Sequence, residues 1–356
     1  MKKLSFIPLI IVLVSALILG GCPAEEEPPP PPPTDGEEPP PAPPEEEVFH
    51  WRWQTCSVET ETEWLIGNPA VERLIEEGSG GRVQVDLYPA GALCGMGETL
   101  DAIVAGAIES GDVIAPVAGS LVPSALCSAM PYGATDAYEL WDIHYNWGLM
   151  DMLREEFAEH DLYLLTGLHC GATSFLSNFP VYTTDDLAGK AVWVGANLQW
   201  LTDLGAAPTE VPGFDMYMGM KLGTIDGFQW PVKGLKDYHM MEVVDYVMRP
   251  YILASFVHMF CSMEAWNALG PDLQRQIQDH IDAHMFEAWK AVEDYTTQAV
   301  AEAEEEYGVQ FITLPPEELA KMKAASRAYW EDVAASDPYA AEAIELYDAW
   351  LEHRGG

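Results

Sequence analysis

Residues 186–195 read Asp-Leu-Ala-Gly-Lys-Ala-Val-Trp-Val-Gly, and they are followed by Leu-Gly-Ala-Ala-Pro at 204–208 and Gly-Thr-Ile-Asp-Gly-Phe-Gln-Trp at 223–230. Glycine or proline closes each apolar segment, which predicts a short helix, a strand, a helix, a strand, a helix and a strand in that order. Repeated strand–helix–strand units build a parallel sheet, and such sheets bind ligands at the ends of their strands. This stretch therefore predicts an α/β fold with a ligand site.

The segments before this stretch continue the same alternation. Residues 48–55 and 82–88 alternate apolar and polar side chains, and 112–117 form a third short apolar run, so all three are predicted strands. Helical spacing of apolar residues predicts helices over 63–77 and 96–107. Two strand–helix–strand units are therefore predicted before this stretch.

Long helices follow it. The segment 270–307 has apolar residues at every fourth position from Leu273 to Trp289, which predicts one unusually long helix with a single apolar stripe. A further helix is predicted over 138–158, and two terminal helices over 315–334 and 339–351.

The first 47 residues are predicted to lie outside the fold. Residues 1–22 have a charged start, an apolar core and the sequence Leu-Gly-Gly-Cys at 19–22, which indicates a lipoprotein export signal with Cys22 as the lipidated residue. The alternative is an uncleaved N-terminal anchor. Residues 23–47 are nearly all proline and acidic residues, which predicts a disordered tether. The chain is therefore expected outside the cytoplasm, held at a membrane.

Charge and motif content restrict the function. The formal net charge is −40 at pH 7, which argues against nucleic-acid binding because phosphates would be repelled. No nucleophile motif, H-E-x-x-H or glycine-rich phosphate loop occurs, so a binding protein is predicted rather than an enzyme. The five cysteines after Cys22 form no C-x-x-C pair and are expected to be buried free thiols: Cys56, Cys94, Cys127, Cys170 and Cys261.

The motifs of the deciding stretch resemble those of the DctP-like solute-binding proteins of TRAP transporters. That family shows patterns close to D-L-x-G-x-K-[IVM]-R-[VI], L-G-[AV]-x-P and G-x-[IV]-D-[GA]. It also shows S-G-G-R-[VI]-x-[VI]-x-[VL]-[FY]-P-A-G-x-L, which residues 79–93 match closely. The resemblance implies a two-lobed periplasmic-binding-protein-like fold with a long lobe-spanning helix. Lobe 1 would cover 48–165 with a return at 255–269, lobe 2 would cover 166–254, and the helices would fill 270–356.

The resemblance also implies where a ligand binds. In the family, two lobes close around a small organic acid, and an arginine at the position of Trp193 clamps its carboxylate with paired hydrogen bonds. A second arginine often lies where this chain has Thr173 and Ser174, just before Phe175. Tryptophan offers one donor and an apolar face, so the usual carboxylate contact cannot form in the same way.

Two alternatives for the ligand follow from these departures. A subgroup of the family carries a Glu-Trp pair and a metal ion that bridges the ligand; here the pair is Gln229-Trp230, and a calcium or sodium ion on these residues is one alternative, although no cofactor is required. The other is a neutral or aromatic ligand stacked between tryptophans, with a cationic ligand as a third possibility. The candidate ligand contacts are Trp53, Tyr132, Thr173, Ser174, Phe175, Trp193, Asn197, Gln199, Gln229 and Trp230.

The predicted function is capture of a small solute between two lobes and its delivery to the membrane subunits of a TRAP-type transporter. Affinity would come from stabilisation of the closed form by ligand. The rival hypothesis is a sensory module that presents the bound solute to a membrane receptor.

Overall fold

The computed structural model of the chain describes residues 47–193, 200–211 and 216–355. The residues from Glu46 onward form one compact unit. The predicted export signal, its Cys22, and residues 23–46 of the predicted tether lie outside the described residues. Within the described residues, no helix is long and apolar enough to cross a membrane.

Strands of the described residues join in one mixed sheet of ten. The order β2-β1-β3-β9-β4-β7-β5-β6 forms its main path, with β8 beside β4 and β10 beside β8. The strands are β1 (Phe49–Gln54), β2 (Val83–Tyr88), β3 (Ser110–Ile114), β4 (Leu162–Ser177), β5 (Ala191–Trp193), β6 (Ala207–Pro208), β7 (Gly227–Pro231), β8 (Tyr246–Arg249), β9 (Leu253–Ser262) and β10 (Gln310–Thr313). Strands β1, β2 and β3 run parallel, as do β5, β6 and β7, so the predicted parallel units are present in both halves.

Twelve α-helices of the described residues flank the sheet. They are α1 (Asn68–Gly78), α2 (Thr99–Val104), α3 (Ala115–Ala118), α4 (Ala137–Trp141), α5 (Leu149–Ala158), α6 (Trp200–Asp203), α7 (Met216–Lys221), α8 (Gly234–Asp237), α9 (Met263–Ala268), α10 (Pro271–Glu305), α11 (Pro316–Ser336) and α12 (Pro338–His353). The described elements between 186 and 230 follow the predicted order. Residues 194–199 and 212–215 of this stretch lie outside the described residues.

Two long strands connect the halves of the sheet. The first part of β4 pairs with β9, and its last residues pair with β7 and β8. The register shifts between His169 and Ala172, where Gly171 has a φ of +89°. Glycine adopts that conformation at little cost, so the strand bends here without ending. The predicted lobe boundary at 165/166 falls inside β4, and the chain crosses from one half to the other within a single strand.

The long helix α10 packs along both halves. Its buried residues from Leu273 to Trp289 recur at every fourth position, as predicted, and join the largest core cluster. Further along, Ala303 of the same helix belongs to a separate core cluster with Phe228 and Val247. Because one rigid helix contributes side chains to both core clusters, it holds the two clusters in a fixed relation to each other.

Local sequence features explain two differences from the predicted elements. The strand expected over 112–117 ends at Ile114, because Pro116 lacks an N–H for the sheet and is favoured in the first turn of the helix α3 that begins at Ala115. The helix expected over 138–158 is divided into α4 and α5, because Gly148 lies between them with a φ of +97°.

Candidate functional site

A cavity of about 360 Å³ lies where several strands end. Its wall is built by residues that end or directly follow four strands: β1, β3, β5 and β7, together with the middle of β4 and β9. This is the place where α/β sheets bind ligands, because strand ends leave a crevice between the connections that diverge from them. The lining residues are Cys56, Ser57, Glu61, Glu63, Met96, Ile114, Ala115, Pro116, Ala129, Cys170, Thr173, Trp193, Gln229, Trp230, Pro231, Lys233, Leu253, Ser255, Phe256 and Val257.

Aromatic rings form one wall of the cavity. Trp193 at the end of β5 and Trp230 in β7 are both half-buried, with ring centroids 6.0 Å apart and planes at 63°. Tyr238 does not line the cavity but packs against Trp230, with ring centroids 6.0 Å apart and planes at 71°. Such edge-to-face packing holds each ring in place while part of its surface stays free for a ligand.

Two polar side chains of the sheet reach the same cavity. The Oε1 atom of Gln229 is buried and accepts no hydrogen bond from the described residues. A buried acceptor without a donor is energetically costly, so a ligand that donates a hydrogen bond to this oxygen would remove that cost. Thr173 of β4 is partnered instead, with its hydroxyl 2.5 Å from that of Ser255.

A buried group of charged residues closes the cavity on another side. The Lys233 ammonium donates to Glu63 Oε2 at 2.7 Å and to Asp237 Oδ2 at 2.9 Å. Tyr238 donates its hydroxyl to Glu61. We call these five residues the Lys233 cluster; it joins the loop after β1 to the loop and helix after β7.

Hydrogen bonds from outside the cluster complete it. Asp237 Oδ1 accepts from the hydroxyls of Thr62, at 2.9 Å, and Tyr295 of helix α10, at 2.8 Å. The buried charges are therefore paired and hydrogen-bonded, as burial requires.

Burial and neighbouring charges set the protonation states of Lys233 and Glu61. Burial alone would lower the pKa of Lys233, but the carboxylates of Glu63 and Asp237 outweigh it and raise that pKa above its usual range. Burial, and then the charge of Glu63, raise the pKa of the Glu61 carboxyl to about 7. The lysine is therefore charged at neutral pH, while Glu61 takes up and releases a proton near neutrality.

A comparison with known protein families shows to which family the chain belongs. Residues 58–337 match the family model of the bacterial extracellular solute-binding proteins, family 7, called DctP. The chain belongs to this family. Members of the DctP family bind substrates outside the cytoplasm and work with membrane transporter subunits.

Individual relatives support this membership. The ectoine-binding periplasmic protein TeaA of Halomonas elongata is 23% identical over 273 residues, which is 73% of this chain and 78% of TeaA. A TRAP periplasmic solute-binding protein of Chromohalobacter salexigens with bound (S)-(+)-2-amino-1-propanol has a TM-score of 0.74 at 20% identity, over 86% of this chain and 96% of that one. A TRAP transporter solute-binding protein of Bordetella bronchiseptica, with calcium and picolinate in its active site, has a TM-score of 0.73 at 19% identity, over 87% and 94%.

These findings confirm the two-lobed periplasmic-binding-protein fold and the predicted function, capture of a small solute for a TRAP-type transporter. They support transport rather than the sensory alternative.

The structure brings four of the predicted contacts together. Thr173, Trp193, Gln229 and Trp230 all line the cavity of this DctP protein. Two of them come from β7, and the others come from β4 and β5. Asn197 and Gln199 lie outside the described residues.

The other predicted contacts are placed in the core and do not line the cavity. Trp53 is 1% exposed and donates its Nε1 hydrogen to Asp112 Oδ2 at 2.7 Å. Ser174 donates its hydroxyl to the Met248 carbonyl, and Phe175 packs against Phe179 with ring centroids 6.1 Å apart. On a strand, neighbours of the cavity-lining Thr173 point to the other face, which explains the position of Ser174.

Tyr132 is likewise buried among apolar side chains. Its ring centroid lies 6.1 Å from that of Trp200, and its hydroxyl has no hydrogen-bond partner among the described residues. Burial raises the pKa of this hydroxyl. The residue contributes to the second core cluster, next to Phe179 and Leu253.

Sequence reasoning missed the Lys233 cluster. Glu61 and Glu63 lie in the connection that follows strand β1, and Lys233 lies in the one that follows strand β7; such connections at strand ends are where α/β folds place ligand groups. That signal was available in the sequence. Their mutual contact was not, because 170 residues separate Lys233 from Glu63.

Proposed function

We propose that this DctP protein holds its solute in the cavity at the strand ends, against the faces of Trp193 and Trp230. Gln229 supplies the polar contact that orients the solute, and Thr173 borders the same space. The observation that carries this proposal is the buried, unpartnered Gln229 Oε1 beside two half-buried tryptophans in one cavity. A few fixed polar groups in an otherwise apolar cavity are typical of small-molecule sites.

The carboxylate clamp expected of the family is replaced in this proposal. Trp193 occupies the position of the clamping arginine and has one N–H donor rather than a guanidinium fork. The described lining contains no arginine, and residues 194–199 and 212–215 contain none either. Lys233, the one basic residue among the described lining residues, is engaged by two carboxylates.

A bridging calcium or sodium ion does not fit this lining. The described residues contain no group of three or more histidine, cysteine or acidic side chains placed to hold a metal ion. Gln229 offers a neutral oxygen and Glu63 is already bonded to the Lys233 ammonium, so the lining supplies few of the about six to eight oxygen ligands that a calcium ion takes. We therefore propose that the solute binds without a metal bridge.

The N-terminal residues carry a second part of the proposal, which concerns where the protein is held. We propose that Cys22 is lipidated after export and that residues 23–47 tether the binding unit to the membrane. This rests on the Leu-Gly-Gly-Cys sequence at 19–22 and the proline-rich composition that follows it. Mass spectrometry of the exported chain would detect the lipid on Cys22, and Cys22→Ser should release the protein from the membrane fraction; unmodified Cys22 would refute the anchor.

Binding can be tested by thermal shift and calorimetry with a library of small metabolites. The full chain should be stabilised by at least one compound, and Trp193→Ala should remove that shift while leaving the melting temperature of the free protein nearly unchanged. Trp147→Ala is the control, since Trp147 is a half-buried tryptophan that packs against His353 away from the cavity. A full ligand shift in Trp193→Ala would place the site elsewhere, and EDTA should leave binding unchanged.

A further inference from the structure

The charges around the cavity are predominantly negative. Glu61 and Glu63 line it, and Lys233 is the single basic residue among the described lining residues. The ammonium of Lys233 is bonded to both Glu63 and Asp237, so the two carboxylates outnumber the one cation before Glu61 is counted. A carboxylate entering this space would meet like charge, whereas a cation would be attracted.

The hydrogen-bonding groups of the cavity also favour a ligand with N–H donors over a carboxylate. Gln229 Oε1 is an acceptor without a donor among the described residues, and a ligand N–H would satisfy it. Glu61 accepts from Tyr238 and from the backbone N–H of Val58, the latter at 2.6 Å. An ionised carboxylate has about four acceptor positions, so Glu61 retains capacity for a ligand donor.

The aromatic wall adds a third contribution. Trp193 and Trp230 present ring surface to the cavity, and the face of an indole ring attracts a cation within about 6 Å of its centroid. Apolar lining residues such as Met96, Leu253 and Phe256 would surround an uncharged body. Negative charge, free acceptors and indole faces therefore converge in one small space.

We propose that the solute of this protein carries a protonated nitrogen with N–H groups on a small apolar body, and that Glu61, Gln229 and the indole faces of Trp193 and Trp230 hold that nitrogen. This inference rests on the proposed function, since it names the chemical class taken by the same cavity. The class contains alkylammonium and amidinium compounds and excludes simple monocarboxylates.

Protonation of Glu61 adds a dependence on pH. The groups that face its carboxyl are Glu63, Lys233 and Tyr238, together with the Val58 amide, and the pKa of Glu61 near 7 follows from burial and then from the charge of Glu63. A bound cation favours the ionised carboxylate and displaces the proton. Affinity for the cation should therefore rise from pH 6 to pH 8, with proton release on binding.

The experiment compares probes of matched shape and opposite charge. Benzylamine and benzamidine would be titrated calorimetrically into the full chain at pH 6 and pH 8, with benzoate and phenylacetate as their anionic counterparts. The two cations should bind more tightly than the two anions, and more tightly at pH 8 than at pH 6. Glu61→Gln should weaken the cations roughly tenfold to a hundredfold at pH 8, which corresponds to one charged hydrogen bond, and should abolish their pH dependence.

Glu242→Gln is the matched control, because Glu242 also accepts a tyrosine hydroxyl, from Tyr217 at 2.8 Å, but lies outside the cavity. It should bind the cations like the unmodified chain. Tighter binding of the anions, or equal cation affinity in Glu61→Gln, would overturn the proposed ligand class while leaving solute binding intact. Absence of binding by both probe series and by every compound of the metabolite library would overturn the proposed function itself.

Discussion

The Lys233 cluster allows a stability prediction with a matched control. Lys233→Met removes a side chain that is 3% exposed and leaves the carboxylates of Glu63 and Asp237, 7% and 0% exposed, without their cation. Removing one partner of a buried ion pair costs about 3–5 kcal/mol, because the remaining charge stays buried and uncompensated. For the roughly 310 residues from Glu46 to Gly356, that free energy corresponds to a fall of about 5–8 °C in Tm.

Lys236→Met is the control for this substitution. Lys236 forms an ion pair with Glu302 at 2.7 Å, the same length as the Lys233–Glu63 contact, but its side chain is 37% exposed. An exposed pair contributes about 1 kcal/mol or less, so its Tm should fall by less than about 2 °C. Equal shifts in the two variants, measured by calorimetry or circular dichroism at pH 7, would refute the argument from burial.

A triple variant separates charge from packing. Adding Glu63→Gln and Asp237→Asn to Lys233→Met removes the uncompensated charges while keeping nearly the same volume. Much of the lost Tm should return, since a neutral set of similar shape does not carry the cost of buried charge. A triple variant less stable than the single one would show that packing of the lysine stem, rather than its charge, is what matters.

Burial raises the folded-state pKa of Glu61 to about 7 and that of Asp112 to about 6, so the stability that these two carboxyls contribute should be lost as pH rises from about 4.5 to 7, because the folded state then holds protons that the unfolded state has released. His144 and His258 act in the opposite direction over this range, because burial lowers their pKa values. Relative to the unmodified chain, Glu61→Gln should therefore gain in Tm as pH rises from about 4.5 to 7, and a Tm difference that does not change with pH would contradict the raised pKa of Glu61. Gly167→Ala should destabilise the fold by several degrees in Tm, since its Cβ would lie 1.7 Å from the Phe256 ring; an unshifted melting temperature would mean that β4 moves freely there. Ellman's reagent should modify Cys94 of the native chain well before the buried cysteines, whose pKa values are raised by burial, and rapid reaction of more than one of the described thiols would contradict their burial. The buried set is Cys56, Cys127, Cys170 and Cys261.

Local patterns were enough to predict most of the fold. The closing glycines and prolines between 186 and 230 gave the order of short elements, and the four-residue period from Leu273 to Trp289 gave the buried stripe of α10. These features depend only on residues close in the chain, because helix and strand periods repeat within a few positions. The same motifs carried the resemblance to the DctP family.

Whether a tryptophan on a strand lines the cavity or fills the core depends on the register of that strand. Trp193 and Trp230 line the cavity, whereas Trp53 fills the core with Trp51, two positions earlier on the same face of β1. Sequence composition alone treats these tryptophans alike. Which face of a strand meets the core is decided by how the strands pair and what packs on them.

Residues close together in the chain were sufficient for the fold class, the long helix and the solute-binding function. The charge of the cavity, in contrast, depends on packing between distant segments, because 170 residues separate Lys233 from Glu63 in the chain. Whether a carboxylate is ionised, paired or shifted in pKa depends on which groups burial brings within a few ångströms of it. That information is contained in the packing of the two halves and in no local stretch of sequence.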